Sequence, residues 1–143
     1  MKVRDIYKTK PVRLQTISPE ESVHDAVKQL NQYNIGGLPV CDAGGDLVGI
    51  ITERDIMRLC ADAEFATAMS TRVGAVMTRN LVTATADDSV ESVMRTMTER
   101  RIRHLPILEG NDLVSIISIG DVVKSQLDEF STENRFLRDY VTG

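Results

Sequence analysis

Polar and apolar positions change period along this chain in a fixed order, and that order occurs twice. Ser22 opens a run in which Val23, Ala26, Val27 and Leu30 recur at helical spacing. A serine at that point suits an N-cap, because its hydroxyl satisfies an orphan backbone N–H. Next comes an apolar stretch through a proline, Leu38-Pro39-Val40, placed as the start or edge of a strand. Ala43-Gly44-Gly45-Asp46 is a turn cluster, and the apolar run Leu47 to Thr52 after it predicts the second arm of a hairpin. That arm leads directly into another helix. The later order matches: Ser89, then Val90, Val93, Met94 and Met97, then Leu105-Pro106-Ile107, the turn Glu109 to Asp112, and the strand Leu113 to Ser118. With a short strand near Leu14–Ile17 or Val82–Ala84, each unit reads β-α-β-β-α. The fold class is therefore α/β (α+β), built from two tandem repeats.

The match extends to residue identity. Thr16 to Arg58 reappears as Thr83 to Lys124 with one residue fewer at the turn, and about a dozen positions are identical. Upstream, Val3, Ile6 and Tyr7 have counterparts in Val73, Val76 and Met77. Two copies of one unit predict a pseudo-two-fold axis and paired, equivalent sites. The expected boundaries are residues 1–67 for the first repeat with its lead-in and connector, 68–127 for the second, and 128–143 for a helical tail. The alanine-rich connector Leu59 to Arg72 is helix-compatible. Leu127, Phe130, Leu137, Tyr140 and Val141 give the tail an apolar face, which either packs on its own domain or forms a dimer contact.

Composition narrows the classes. Each repeat alone is near the size at which a domain becomes marginal, so the two are expected to share their packing. A net charge of −4 over 143 residues lacks the basic footprint of a duplex-DNA binder. No apolar run approaches the ~20 residues of a membrane span, and the N-terminal MKVRDIYKTK has no signal-peptide core. Cys41 and Cys60 have no metal spacing and read as reduced thiols of a cytoplasmic protein. His24 reads as a surface residue, and the six methionines as core filling. No nucleophile with a base, no metal-ligand set and no Gly-x-Gly-x-x-Gly is present, so the expectation is a non-enzyme that requires no cofactor.

The Leu-Pro-Val and Leu-Pro-Ile strands, the strand-to-helix signature GIITERD at 49–55 and the Val-x-x-hydrophobic-Met-Thr lead-in at Val73 to Thr78 resemble tandem cystathionine-β-synthase (CBS) domains. The resemblance covers nearly the whole chain up to about Leu127. SIGDVVK at 118–124 and LRDY at 137–140 resemble small stand-alone bacterial members of that family. What the resemblance implies is a two-repeat disc, a Bateman module. Its central clefts bind adenosine-containing ligands: AMP, ADP, ATP, S-adenosylmethionine or NAD(H).

Carried onto this chain, the family signature places Asp55 and Asp121 where one carboxylate accepts from both ribose hydroxyls. Such a hydrogen bond to a charged group contributes about 1.5–3 kcal/mol. Thr52 and Ser118 put a hydroxyl at a helix start, where free N–H groups and the helix dipole favour a phosphate. Adenine would lie beside Ile17, Leu38, Pro39 and Val40, or beside Ala84, Leu105, Pro106 and Ile107, with backbone near Gly37 and His104 reading its edge. Thr-x-x-Asp at a helix start is also a capping box, and the same pattern occurs at Ser22–Asp25, Thr85–Asp88 and Ser125–Asp128 where no ligand is expected. Only Thr52–Asp55 and Ser118–Asp121 follow a buried-type strand, which favours the ligand reading.

The copies also differ. Gly49, open to close approach, becomes Ser115. Arg100, Arg101, Arg103 and His104 stand where the first copy has Tyr33, Asn34, Gly36 and Gly37. Arg103 and His104, with Arg54, are expected to contact phosphate, whereas Arg100 and Arg101 read as a solvated helix end. The overall expectation is an adenine-nucleotide sensor that forms a homodimer and acts on an unknown effector protein in trans. The alternatives are a protein-interaction module with degenerate clefts and, third, a nucleotide-processing enzyme.

Overall fold

The computed structural model describes residues 1–10 and 13–142, with only the backbone path given for Phe136 and residues 139–142. Its elements follow the predicted order. In the first half, helix α2 (Val23–Tyr33) leads to the hairpin β1 (Gly37–Cys41) and β2 (Leu47–Thr52), then to α3 (Glu53–Asp62). In the second half, strand β3 (Ala84–Thr85) and α6 (Val90–Arg100) precede the hairpin β4 (His104–Glu109) and β5 (Asp112–Ser118), which runs into α7 (Ile119–Thr142). The remaining helices are short: α1 (Val3–Tyr7), α4 (Phe65–Ser70) and α5 (Val73–Val76). Helix α4 falls within the segment Leu59 to Arg72 expected to be helical, and α5 follows directly after it.

The internal symmetry reaches single hydrogen bonds. Ser22 and Ser89 both cap their helices as expected, accepting from the backbone N–H of Asp25 and Ser92. Both helices then end on a left-handed residue, Asn34 at φ 52° and Arg101 at φ 54°. Both hairpins are antiparallel and carry a register shift at the same place, Val40/Cys41 and Ile107/Leu108. The backbone N–H of Glu53 donates to Gly36 O at 3.0 Å, and that of Ile119 donates to Arg103 O at 2.8 Å. A strand before each hairpin was expected. In the second half β3 pairs parallel with β4, but in the first it shrinks to a single parallel bridge between Ile17 and Val40. Leu14, at the start of that stretch, is exposed and gains nothing from pairing.

Each lead-in packs on the opposite repeat. Val3 and Ile6 join Ala84, Val90, Val93, Met97, Leu105, Ile107 and Ile117 in one core. Val73 and Met77 join Ile17, Val23, Ala26, Leu38, Val40 and Ile51 in the other. Matched backbone bonds hold the exchange: Val3 N–H to Asp88 O at 2.9 Å, and Val73 N–H to Glu21 O at 2.8 Å. Neither core is complete without residues from far along the chain, which ties the two halves together.

The tail is not a separate element. It continues the second repeat's last helix without a break, and Val123, Leu127, Phe130 and Leu137 are exposed along it. The side chains of Tyr140 and Val141, also expected on that face, lie outside the described residues. Among the described residues no helix is long and apolar enough to cross a membrane.

Candidate functional site

The hairpin-to-helix junctions position the signature residues. At the first, the Thr52 hydroxyl accepts from Asp55 N–H at 3.4 Å while the Asp55 carboxylate accepts from Thr52 N–H at 3.0 Å. The Thr52 hydroxyl also donates to Asp55 Oδ2 at 3.2 Å, and the Thr78 hydroxyl donates to Oδ1 at 3.1 Å. At the second junction Asp121 Oδ2 accepts from Ser118 N–H at 2.8 Å, and Ser118 Oγ accepts from Asp121 N–H at 3.1 Å. Both motifs are therefore capping boxes in full. Capping does not use up a carboxylate, whose two oxygens offer about four acceptor positions. Ser22–Asp25 forms the same box away from the clefts.

A cleft of about 810 Å³ opens between the halves beside the first junction. Pockets for small molecules and cofactors commonly span roughly 300–1,000 Å³. Thr52, Glu53, Arg54, Asp55 and Arg58 from the start of α3 line one side, with Thr78 beside them; Arg100, Arg101, Arg103 and His104 come from the other repeat. Five arginines thus meet two carboxylates, Glu53 and Asp55, in a chain whose net charge is −4. That concentration makes a positive field in a concave site, where it acts most strongly on an anion.

His104 reaches across the pseudo-axis. A Cβ on Gly36 would sit 2.6 Å from Glu53 Oε1 and 3.0 Å from His104 Nε2, so any side chain there would turn the Glu53 carboxylate aside and press on the imidazole. Burial, with the nearby positive charge of Lys10 and a smaller part from Arg103, pushes the imidazole below its ordinary value despite the opposing Asp121. Asp121 itself is half-buried. Burial alone would raise its carboxyl, but the Lys10 ammonium and the Ser118 backbone and hydroxyl outweigh it and hold the carboxyl below the usual range.

Thr52, Asp55, Arg54, Arg103 and His104 are thus brought together in one cleft. Ser118 and Asp121 mark the equivalent junction of the other half. Ile17, Leu38, Val40, Ala84, Leu105 and Ile107 are buried in the two cores, and Gly37, Pro39 and Pro106 are buried with the strands. Arg100 and Arg101, expected at a solvated helix end, are exposed but also form the cleft wall. Sequence reasoning passed over Arg58, Thr78 and Lys10. Arg58 was within reach, since it lies four residues after Arg54 and hence on the same helix face. The Cys41 thiol is pushed up, first by burial and then by the charges of Asp42 and Asp46. Among the described residues no group of His, Cys, Asp and Glu is arranged to hold a metal.

A tandem α/β repeat with exchanged lead-ins and a ligand-sized cleft between its halves defines the architecture. The chain belongs to the CBS-domain family, whose model matches residues 3–62 and 73–128. The mitochondrial CBS domain-containing protein CBSX3 of Arabidopsis thaliana is 38% identical over 128 residues; these are 87% of this chain and 62% of that protein. YhcV of Bacillus subtilis is 33% identical over 86% of each chain. An inosine-5'-monophosphate dehydrogenase of Methanocaldococcus jannaschii is 36% identical over 110 residues, only 21% of its length. Among solved structures, the CBS-domain protein ATU1752 from Agrobacterium tumefaciens superposes with a TM-score of 0.82 at 36% identity, over 87% of this chain and 92% of that one. CBSX2 in complex with AMP gives 0.74 at 28% identity, over 89% and 96% of the two chains. The CBS pair of MJ0100, in complex with 5'-methylthioadenosine and S-adenosylmethionine, gives 0.76 at 29%, over 90% and 98%.

Proposed function

We propose that this chain is a non-enzymatic regulatory module that binds an adenine nucleotide, AMP, ADP, ATP or NAD(H), in the cleft beside Asp55. The observation that carries the reading is the surplus of arginine in that cleft. Phosphates are matched by guanidinium groups in a planar fork geometry. The sulfonium of S-adenosylmethionine adds positive charge to a site already rich in it, so phosphorylated ligands are favoured. In this reading Asp55 accepts from the ribose diol, Thr52 sits at the helix start, and Arg54, Arg58, Arg100, Arg101 and Arg103 face the phosphates. CBSX2 bound to AMP supports the ligand class.

A ligand touching both repeats biases their relative arrangement by its difference in affinity for two states, and by nothing else. The readout belongs to an effector protein in trans. A second copy of the chain covers the apolar face of α7, where Val123, Leu127, Phe130 and Leu137 are otherwise left to solvent. The test is a thermal-shift and calorimetric panel of AMP, ADP, ATP, NAD⁺, NADH and S-adenosylmethionine, with GTP as control. A ligand at 100 times its Kd adds about 2.7 kcal/mol and raises Tm by several degrees. Shifts confined to the phosphorylated adenine compounds are expected. An equal shift with GTP, or none with any compound, would contradict the proposal.

A further inference from the structure

The two junctions differ in what already holds the signature carboxylate. In the first half Thr78 serves two acceptors: its hydroxyl donates to Asp55 Oδ1 at 3.1 Å, and its backbone N–H donates to Ile50 O at 2.8 Å. The equivalent acceptors in the second half are Asp121 and Ile116 O. There one side chain serves both. Lys10 Nζ donates to Asp121 Oδ2 at 2.9 Å and to Ile116 O at 2.7 Å. Its side chain is 21% exposed and that of Asp121 25%, so the ion pair is largely sheltered from water.

The exchange has a cause in the sequence. A Cβ on Gly49 would lie 2.5 Å from Met77 Sδ and 3.0 Å from Thr78 O, so glycine there lets the lead-in lie directly on the strand. Thr78 and Ile50 form a bridge as a result. Ser115 replaces that glycine in the second half. Its lead-in instead keeps turning after α1, with the N–H groups of Lys8, Thr9 and Lys10 donating to Arg4, Ile6 and Tyr7. The strand carbonyl, which the Ser115 hydroxyl reaches only at 3.4 Å, is left mainly to a long, flexible ammonium.

We propose that Lys10 is a specificity-determining latch at the Ser118–Asp121 junction, the counterpart of the first site, which admits only adenosine ligands that carry a phosphate. This rests on the nucleotide reading above. A ribose diol held by both oxygens of Asp121 must displace the Lys10 ammonium from Oδ2, the oxygen that also accepts from Ser118 N–H. A bare nucleoside would then leave that charge half-buried and unpaired, which is costly. A nucleotide brings its own anion, a few bonds from the diol, and re-pairs the freed ammonium. The first cleft has no such latch, because a threonine hydroxyl shares its carboxylate without a charge to strand. The clefts therefore fill in order, the first before the second.

The test is calorimetric titration of the whole chain with AMP and with adenosine, for the wild type and for Lys10→Met and Lys10→Arg. The Met variant keeps the stem and removes the charge. In the wild type AMP is expected to fill two sites, the second about tenfold or more weaker, whereas adenosine fills one. Lys10→Met should gain a second adenosine site and lose most of its preference for AMP there. Lys10→Arg should keep the wild-type pattern, and Asp121→Ala should abolish only the second site. Two equal adenosine sites in the wild type, or a pattern unaltered in Lys10→Met, would overturn the latch while leaving nucleotide binding in place. Absence of binding by either compound to any variant would overturn the latch and the reading beneath it together.

Discussion

The two halves of this chain share a fold down to matched register shifts and left-handed helix ends, yet they close the edge of their central strands by different means. In the first, backbone meets backbone: Gly49 clears the way and Thr78 bonds to Ile50 in both directions, at 3.0 and 2.8 Å. In the second, a serine stands in that place and a lysine from 106 positions away supplies the bond, to Ile116 O at 2.7 Å. The lesson is that one missing Cβ decides whether a lead-in can lie flat on a strand. That in turn decides whether a neutral hydroxyl or a mobile charge touches the carboxylate. The repeat carries two junctions of one design, and small side-chain changes made them unequal.

The sharpest way to break this contrast is to make the first half resemble the second. Gly49→Ser would force its Cβ into Met77 and the Thr78 carbonyl, with an expected loss of about 1–3 kcal/mol on the scale of core overpacking. Urea denaturation measures it, and Ser115→Gly, which removes a hydroxyl holding one long bond to Ile116 O at 3.4 Å, should cost clearly less. Equal effects of the two would mean the close approach at Gly49 is not what separates the halves.

The pH dependence comes next. The pKa of His104 is lowered in the fold, first by partial burial and then by the Lys10 charge, with Asp121 opposing and Arg103 adding a smaller part. Its folded value lies below the ordinary 6.5, so the unfolded chain takes up the proton first. The stability it contributes is whole above about 6.5 and is lost as pH falls through the lowered value. Denaturation curves should show that decline for the wild type and a flatter profile for His104→Asn. The same slope in both would remove His104 as its source.

The smallest effect concerns the helix ends. Asn34 and Arg101 occupy equivalent left-handed positions, but asparagine adopts that conformation far more readily than arginine. Arg101→Gly should therefore gain a few tenths to about 1 kcal/mol in thermal unfolding. Asn34→Gly should change little. A loss at Arg101 would show that its cleft contacts outweigh the backbone strain.

What was legible in the sequence was local or repeated. Helix caps at Ser22 and Ser89, the Leu-Pro strands, the turns and the capping geometry of Asp55 and Asp121 all follow from residues within a few positions of each other. The duplication made each reading twice over. What stayed hidden depends on contacts between distant parts of the chain. Nothing near Val3 or Val73 says that each lead-in will complete the other repeat's core. Nothing near Lys10 points to Asp121. Gly49 was noted as a place of close approach, but its partner, Met77 and Thr78, could be named only in three dimensions. Arg100 and Arg101 carry the plain pattern of a helix end, and it is the second repeat's position across the axis that turns them toward the cleft.

The central claim is that an adenine nucleotide enters the first cleft, between Asp55 and the arginines of the other repeat. A crystal structure of the chain grown with AMP at partial saturation tests this most directly. The account predicts the ribose on Asp55, the phosphate among Arg54, Arg58 and Arg100 to Arg103, and Lys10 still bonded to Asp121. A nucleotide found first on Asp121, with Lys10 displaced and the cleft at Asp55 empty, would contradict it.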